Sequence, residues 1–166
     1  HIDLIGKRTF HKLKTVAINV RPFFRHVKNN WVTIHANHAI GTRRQQMGDG
    51  GLIAQFTNTQ SGELIAATDS SWTCMVIHEA PLDKTCESSS NPVAGTAPCD
   101  FTDLGEPDGW KTAGFDDSSW NSTTAHSSSA VGPKDGYNQI SWDSNAEIIW
   151  GPDLETNNTI LCRVTV

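Results

Sequence analysis

The sequence has few of the features that mark helical, membrane-spanning or disordered proteins. It contains one tyrosine and two methionines, against six tryptophans and thirteen glycines, among 166 residues. No run of about 18 apolar residues occurs, so a transmembrane helix is not predicted. The frequent Gly and Pro and the 19% of charged residues argue against a helical bundle or coiled coil. We predict one domain over residues 1–166, a size at which one core forms.

Motifs of the common enzyme classes are also missing. The chain has no Gly-x-Ser-x-Gly, no P-loop, no His-Glu-x-x-His and no Gly-x-Gly-x-x-Gly. His1 would bind copper only with a second histidine, and nothing else in residues 1–25 resembles a copper-dependent enzyme. His35 and His38, three positions apart on an extended segment, point to opposite faces and would not chelate a metal together. We therefore predict a non-catalytic protein. Copper chemistry at His1 and a pair of carboxylates are the enzymatic alternatives.

Acidic residues are almost missing from the first quarter of the chain, and basic ones are scarce in the rest. Residues 1–44 carry nine Lys or Arg and one acid, a net charge of +8, whereas residues 45–166 carry four bases and seventeen acids, a net charge of −13. In one sandwich of interleaved strands these charges would neutralise each other, so we expect no nucleic-acid partner. The alternative is head-to-tail self-association, in which basic and acidic faces of successive copies meet.

Short β-branched or alternating segments, separated by turn residues, predict a β-protein. The predicted strands are residues 16–20, 31–36, 51–56, 63–67, 72–77, 147–150 and 159–166. Residues 81–107 and 121–130 are rich in small and turn-forming residues and predict exposed loops. Asp-Ser-Ser-Trp occurs twice, ending at Trp72 and Trp120. It predicts a turn in which an aspartate binds backbone N–H groups and the tryptophan enters the core.

The four cysteines are even in number and widely spaced, without a Cys-x-x-Cys pair. This pattern is typical of disulfides formed in an oxidising compartment rather than of a zinc ribbon. Of the three possible pairings we favour Cys86 with Cys99, which closes the long loop, and Cys74 with Cys162, which joins two strands. Four buried thiols in a reducing compartment are the alternative.

Two N-glycosylation sequons begin at Asn121 and Asn157, both in loop-like surroundings. Each alone is a weak signal, because such tripeptides are common by chance. Together with paired cysteines they favour a secreted, extracellular glycoprotein.

Five segments occur in an order known from one family. They comprise residues 30–37, 50–56, 68–72, 109–120 and 148–164. Their order and their motifs, such as Phe-Asp-Asp-Ser-Ser-Trp, resemble the galactose-binding-domain-like jelly rolls that accompany α-L-rhamnosidases and other extracellular carbohydrate-active or adhesive proteins. The resemblance covers residues 29–166 and leaves residues 1–28 as diverged or truncated opening strands. It implies an all-β, antiparallel jelly-roll β-sandwich, here with long disulfide-pinned loops.

The resemblance does not identify a ligand, because binding sites lie in loops. Its pattern places Trp72, Trp120 and Trp150 in the core. The remaining loop aromatics and their polar neighbours form our candidate carbohydrate site: Trp110, Tyr137, Trp142, Asp108, Asp135, Asn138 and Asp143. Sugar rings stack on such side chains, although any one tryptophan has core filling as its alternative role. The expected partners are glycans or glycoproteins. A structural or adhesive subunit and an accessory domain of a glycoside hydrolase are the alternative functions.

Calcium is the one metal that the resemblance suggests, because jelly rolls of this family often hold a structural Ca²⁺ in a loop of carboxylates. Asp116 and Asp117, or Asp100 and Asp103, would supply the oxygen ligands that Ca²⁺ prefers. No EF-hand spacing is present, and no other cofactor is expected.

Overall fold

The computed structural model describes residues 14–20, 31–37, 50–58, 61–112, 114–133 and 137–165. Within them the chain forms ten strands, two 3₁₀ turns (Lys84–Ser88 and Tyr137–Gln139) and one short helix, α1 (Ser128–Val131). The predicted β class is confirmed for this part of the chain, which is mostly strand with little helix. In this described part of the chain, no helix is long and apolar enough to cross a membrane.

The first sheet contains β1 (Lys14–Val20), β3 (Leu52–Asn58), β4 (Leu64–Ala67), β8 (Thr124–His126) and β9 (Ile148–Trp150). The strand order is β1-β3-β9-β8, and β4 also pairs with β3. The second sheet contains β2 (Trp31–Asn37), β5 (Thr73–Glu79), β6 (Thr102–Asp103), β7 (Asn121–Ser122) and β10 (Asn157–Thr165). Here β10 lies between β2 and β5, while β6 and β7 pair with opposite ends of β5.

The pairing is antiparallel, as predicted, except between β1 and β3. These two strands run parallel over seven residue pairs, from Lys14 beside Leu52 to Val20 beside Asn58. The intervening strand β2 belongs to the second sheet. The chain therefore crosses between sheets before it returns beside β1, and such a crossover allows parallel neighbours.

Alternating side chains of both sheets form the main core. One cluster joins Leu52, Ala54 and Phe56 of β3 to Cys74, Ile160 and Cys162 of the second sheet. Residues two apart on a strand share a face, so this cluster fills the space between the sheets. Trp72 and Trp150 complete it with relative exposures of 0% and 2%, as the family resemblance implies.

A tryptophan-bearing segment covers the other face of each sheet. Ile53, whose β3 neighbours belong to the main core, packs with Val131 and with the partly buried Trp142. On the second sheet, Leu161 packs in a separate cluster with Trp110 and Trp120, together with Ile77. In the described part of the chain, β3 and β9 of the first sheet and β5 and β10 of the second therefore pack on both faces. Trp110, Trp120 and Trp142 belong to the outer cover.

The structure contains both favoured disulfides. Cys74 and Cys162 lie directly opposite each other on β5 and β10, with a Cα–Cα distance of 4.2 Å, and we call their bond the cross-strand disulfide. Cys86 and Cys99, separated by 13 positions, form the loop disulfide between β5 and β6. Two disulfides indicate an oxidising environment, as is usual outside the cell.

Candidate ligand-binding site

The predicted site residues do not form one site. Trp110 lies in the cluster that covers the second sheet, whereas Tyr137 and Trp142 lie against the first sheet. Asp108 is exposed on the segment that leads to Trp110. Asp135 lies outside the residues that the structure describes. The aromatic candidates therefore reduce to one pair near the surface and one buried ring.

Trp110 is the buried ring, with a relative exposure of only 3%. Its indole Nε1 donates a hydrogen bond to Glu106 Oε2 at 2.7 Å, and its ring centroid lies 6.3 Å from that of Trp120. A sugar would find no open ring face here. Trp110 therefore packs as part of the apolar cover on the outer face of the second sheet, which is the core-filling role that the sequence left as its alternative.

Tyr137 and Trp142 form the aromatic pair near the surface. Their rings stack with centroids 6.1 Å apart and an interplanar angle of 29°, and both residues are half-buried. Trp142 Nε1 donates a hydrogen bond to the backbone oxygen of Tyr137 at 3.1 Å. Their apolar support includes Ile53 and Val131. The pair, which we call the aromatic ledge, is thus held by packing and by an internal hydrogen bond.

Gln55 of β3 fixes the loop that carries the aromatic ledge. Its Oε1 accepts a hydrogen bond from Asp143 N at 2.8 Å, and its Nε2 donates to Ser141 O at 3.2 Å. Asp143 Oδ1 in turn accepts two hydrogen bonds from Asn145, both of 2.9 Å. Asn138 is exposed next to Tyr137. Sequence reasoning missed Gln55, although one polar residue among the apolar positions of β3 was a usable signal.

The carboxylates predicted for calcium make contacts within the protein. Asp117 Oδ2 accepts a hydrogen bond from Arg163 Nε at 2.7 Å. Asp116 Oδ1 accepts one from Ser118 N at 3.0 Å, and hydrogen bonding by the Ser118 side chain and backbone lowers the pKa of Asp116. Among the described residues, no three His, Cys, Asp or Glu side chains are grouped to hold a metal ion. Calcium binding stays a prediction.

The alternative calcium pair lies in a loop with an unusual surface. Of the five large apolar side chains that are exposed in the described chain, four belong to this loop: Leu82, Val93, Phe101 and Leu104. The same residues 82–104 contain four exposed acids, among them Asp100 and Asp103, and one base, Lys84. We call this segment the acidic apolar loop. A contiguous exposed apolar patch is typical of an interaction surface, so this segment is a second candidate for one.

Comparisons with known proteins leave the family open. No family model matches this chain, and neither the curated proteins nor the solved structures contain a match.

Proposed function

We propose that this chain is an extracellular, non-catalytic carbohydrate-binding module with a galactose-binding-domain-like jelly-roll fold. The aromatic ledge of Tyr137 and Trp142 carries the proposal, because it presents partly exposed rings beside the exposed amide of Asn138. The two sheets, the order of the motifs and the paired cysteines support the fold and the location. An accessory domain of a glycoside hydrolase would use the same surface.

The ledge suits a sugar for a physical reason. The apolar C–H face of a pyranose would pack on the exposed part of the rings, while Asn138 and Asp143 would bind its hydroxyl groups. Gln55 and the Trp142 N–H already hold the loop in place. A ligand would therefore lose little of its binding free energy to ordering the site.

A glycan array, followed by titration calorimetry with the best ligand, tests this function. Removing a stacking ring costs up to about 1.5 kcal/mol, so we expect Trp142→Ala to raise the Kd by about tenfold. Asn138→Ala changes an exposed side chain that leaves the core intact, and it should also weaken binding. Phe101→Ala is the matched control, since Phe101 is an exposed aromatic residue of the acidic apolar loop.

Two outcomes would contradict the carbohydrate proposal. One is an array on which no glycan binds the folded protein. The other is a loss of affinity in Phe101→Ala that equals the loss in Trp142→Ala, because the ring contact would then not be specific to the ledge. Melting temperatures of all variants separate lost binding from lost folding.

We propose a subunit of an extracellular assembly as the second candidate function. The observation that favours it is the acidic apolar loop, whose exposed Leu82, Val93, Phe101 and Leu104 lie among acids. Residues 1–44, with nine bases and one acid, supply the complementary charge on a second copy. Light scattering after size-exclusion chromatography should then show a large species at about 20 mM salt that shrinks at about 500 mM. A monomer of 18.1 kDa at both would reject assembly.

A further inference from the structure

The two sequon asparagines lie in opposite environments. Asn121 is the first residue of β7, a two-residue strand at the edge of the second sheet, and its side chain is exposed. Only the backbone of Asn121 takes part in the sheet, where it lies beside Cys74 of β5. A large group on its amide nitrogen would point into solvent and leave the packing of the sheet unchanged.

Asn157, by contrast, holds the turn before β10 from the inside. Its residue exposure is 5%, its Nδ2 donates to Glu79 Oε1 at 3.2 Å, and its Oδ1 accepts from Asp153 N at 2.9 Å. Its backbone oxygen accepts a hydrogen bond from Trp150 Nε1 at 2.7 Å. Even a methyl group added at Gly151 would come within 2.4 Å of Asn157 Oδ1. The amide has no room for a sugar.

We propose that Asn121 is an N-glycan acceptor and that Asn157, despite its sequon, is not one in the folded protein. In the transfer, Asn121 Nδ2 loses one proton and bonds to the anomeric carbon of an oligosaccharide. The bond from that carbon to the diphosphate of a lipid-linked donor breaks, and the lipid diphosphate leaves with the electron pair. A chain modified at Asn157 would lose the turn contacts that start β10.

The sequon also sets the order of events. Thr123, its third residue, is buried, and its hydroxyl donates to Trp150 O at 3.1 Å. This hydroxyl is open to a transferring enzyme only before β9 takes its place. Transfer to Asn121 therefore precedes completion of the first sheet, and the glycan then remains at the surface. At that stage the amide of Asn157 is not yet buried, so Asn157 is excluded because a chain modified there cannot form the enclosed turn before β10.

Secretion of the full chain from eukaryotic cells tests the proposal. Peptide N-glycosidase treatment in H₂¹⁸O should remove one glycan by intact mass and leave ¹⁸O-labelled aspartate at position 121. Asn121→Gln should abolish the mass increment and, as an exposed change, shift the melting temperature by no more than about 2 °C. Asn157→Gln is the matched variant, and it should keep the glycan while lowering stability.

Peptide mapping of the wild-type protein keeps the test decisive if Asn157→Gln fails to fold. An unmodified Asn121 in the secreted protein would overturn the proposal. So would a glycan mapped to Asn157 in protein that unfolds cooperatively, because the buried amide contacts would then be wrong.

Discussion

Replacing Arg163 by methionine should destabilise the second sheet and its cover. Arg163 of β10 is 5% exposed, and its Nη1 donates to Trp110 O and to Thr112 O. Its Nε donates to Asp117 Oδ2, and its guanidinium carbon lies 5.3 Å from the ring centroid of Phe115. Methionine keeps most of the side-chain volume but removes the charge and every donor. The segment that carries Trp110, Thr112 and Asp117, which covers the outer face of the second sheet, would then lose these polar contacts with β10.

The solvent exposure of Asp117 determines how much unfolding free energy Arg163→Met should remove. Breaking a fully buried ion pair costs about 3–5 kcal/mol, because an uncompensated charge remains. The Asp117 side chain is 35% exposed, so water can solvate it once Arg163 is gone. Each carbonyl that loses its donor adds about 1 kcal/mol. We therefore expect Arg163→Met to lower the free energy of unfolding by about 2–3 kcal/mol, or the melting temperature by about 5–10 °C.

Removing the other partner of the ion pair, by Asp117→Ala, should lower the free energy of unfolding at least as much. The Arg163 side chain is only 6% exposed, so Asp117→Ala leaves a buried cation without its carboxylate. The double variant should cost clearly less than the sum of the two single ones, since both remove the same interaction. Urea unfolding of all four proteins gives this coupling free energy. Asp116→Ala is the matched control, because this neighbouring carboxylate contacts only its own turn among the described contacts.

Either of two results would contradict the proposed role of the Arg163–Asp117 ion pair. One is an Arg163→Met protein within about 0.5 kcal/mol of wild type, the range of an ordinary surface substitution. The other is a greater loss in Asp116→Ala than in Asp117→Ala, which would assign the stabilisation to the turn instead of the ion pair.

Two further predictions concern the disulfides and the turn that contains Asp153. Chain entropy gives about 4.6 kcal/mol for the cross-strand disulfide, separated by 88 positions, and about 2.9 kcal/mol for the loop disulfide, separated by 13. Guanidinium unfolding of the paired Cys→Ala variants should show this order, and the reverse order would contradict it. Burial raises the pKa of Asp153, but hydrogen bonds from Glu155 N and Thr156 outweigh it, so the pKa is lowered overall. Its contribution is present above the unfolded-state pKa and is lost as pH falls through the folded one. Urea midpoints of Asp153→Asn should thus fall below wild type at pH 7, and the difference should shrink as the pH falls below 3.8, the ordinary pKa of an aspartate; a difference that stays constant at low pH would contradict this.

The two Asp-Ser-Ser-Trp segments show what local sequence predicts well. Trp72 N donates to Asp69 O at 3.3 Å, and Trp120 N donates to Asp117 O at 2.9 Å. Both tryptophans are buried, as predicted.

The aspartate side chains that cap the two turns differ, however. Asp69 Oδ1 accepts from Ser71 N, whereas in the second turn Asp116 provides the cap. The aspartate equivalent to Asp69 is engaged by the distant Arg163, which no local pattern indicates.

Residues 121–130 show where local sequence misleads. Their Ser and Thr content predicts an exposed loop, but the structure places β7, β8 and the start of α1 there. β8 pairs with β9, with Ala125 beside Ile149, and the Thr123 hydroxyl binds Trp150 O. These partners lie more than twenty positions away along the chain. Short polar strands form because a distant apolar strand provides the other half of the ladder.

Local sequence patterns were enough to predict the β class, most strand positions, the tryptophan turns and the number of disulfides, because these depend on neighbours along the chain. The packing of distant segments, by contrast, determines that Trp110 is buried while Trp142 is partly exposed, and that Asn121 is exposed while Asn157 is enclosed. It also determines that Gln55 holds a loop 88 positions away. Burial and hydrogen bonding of a side chain depend on which distant segments pack around it, and identical residue types in similar local patterns therefore reach different environments.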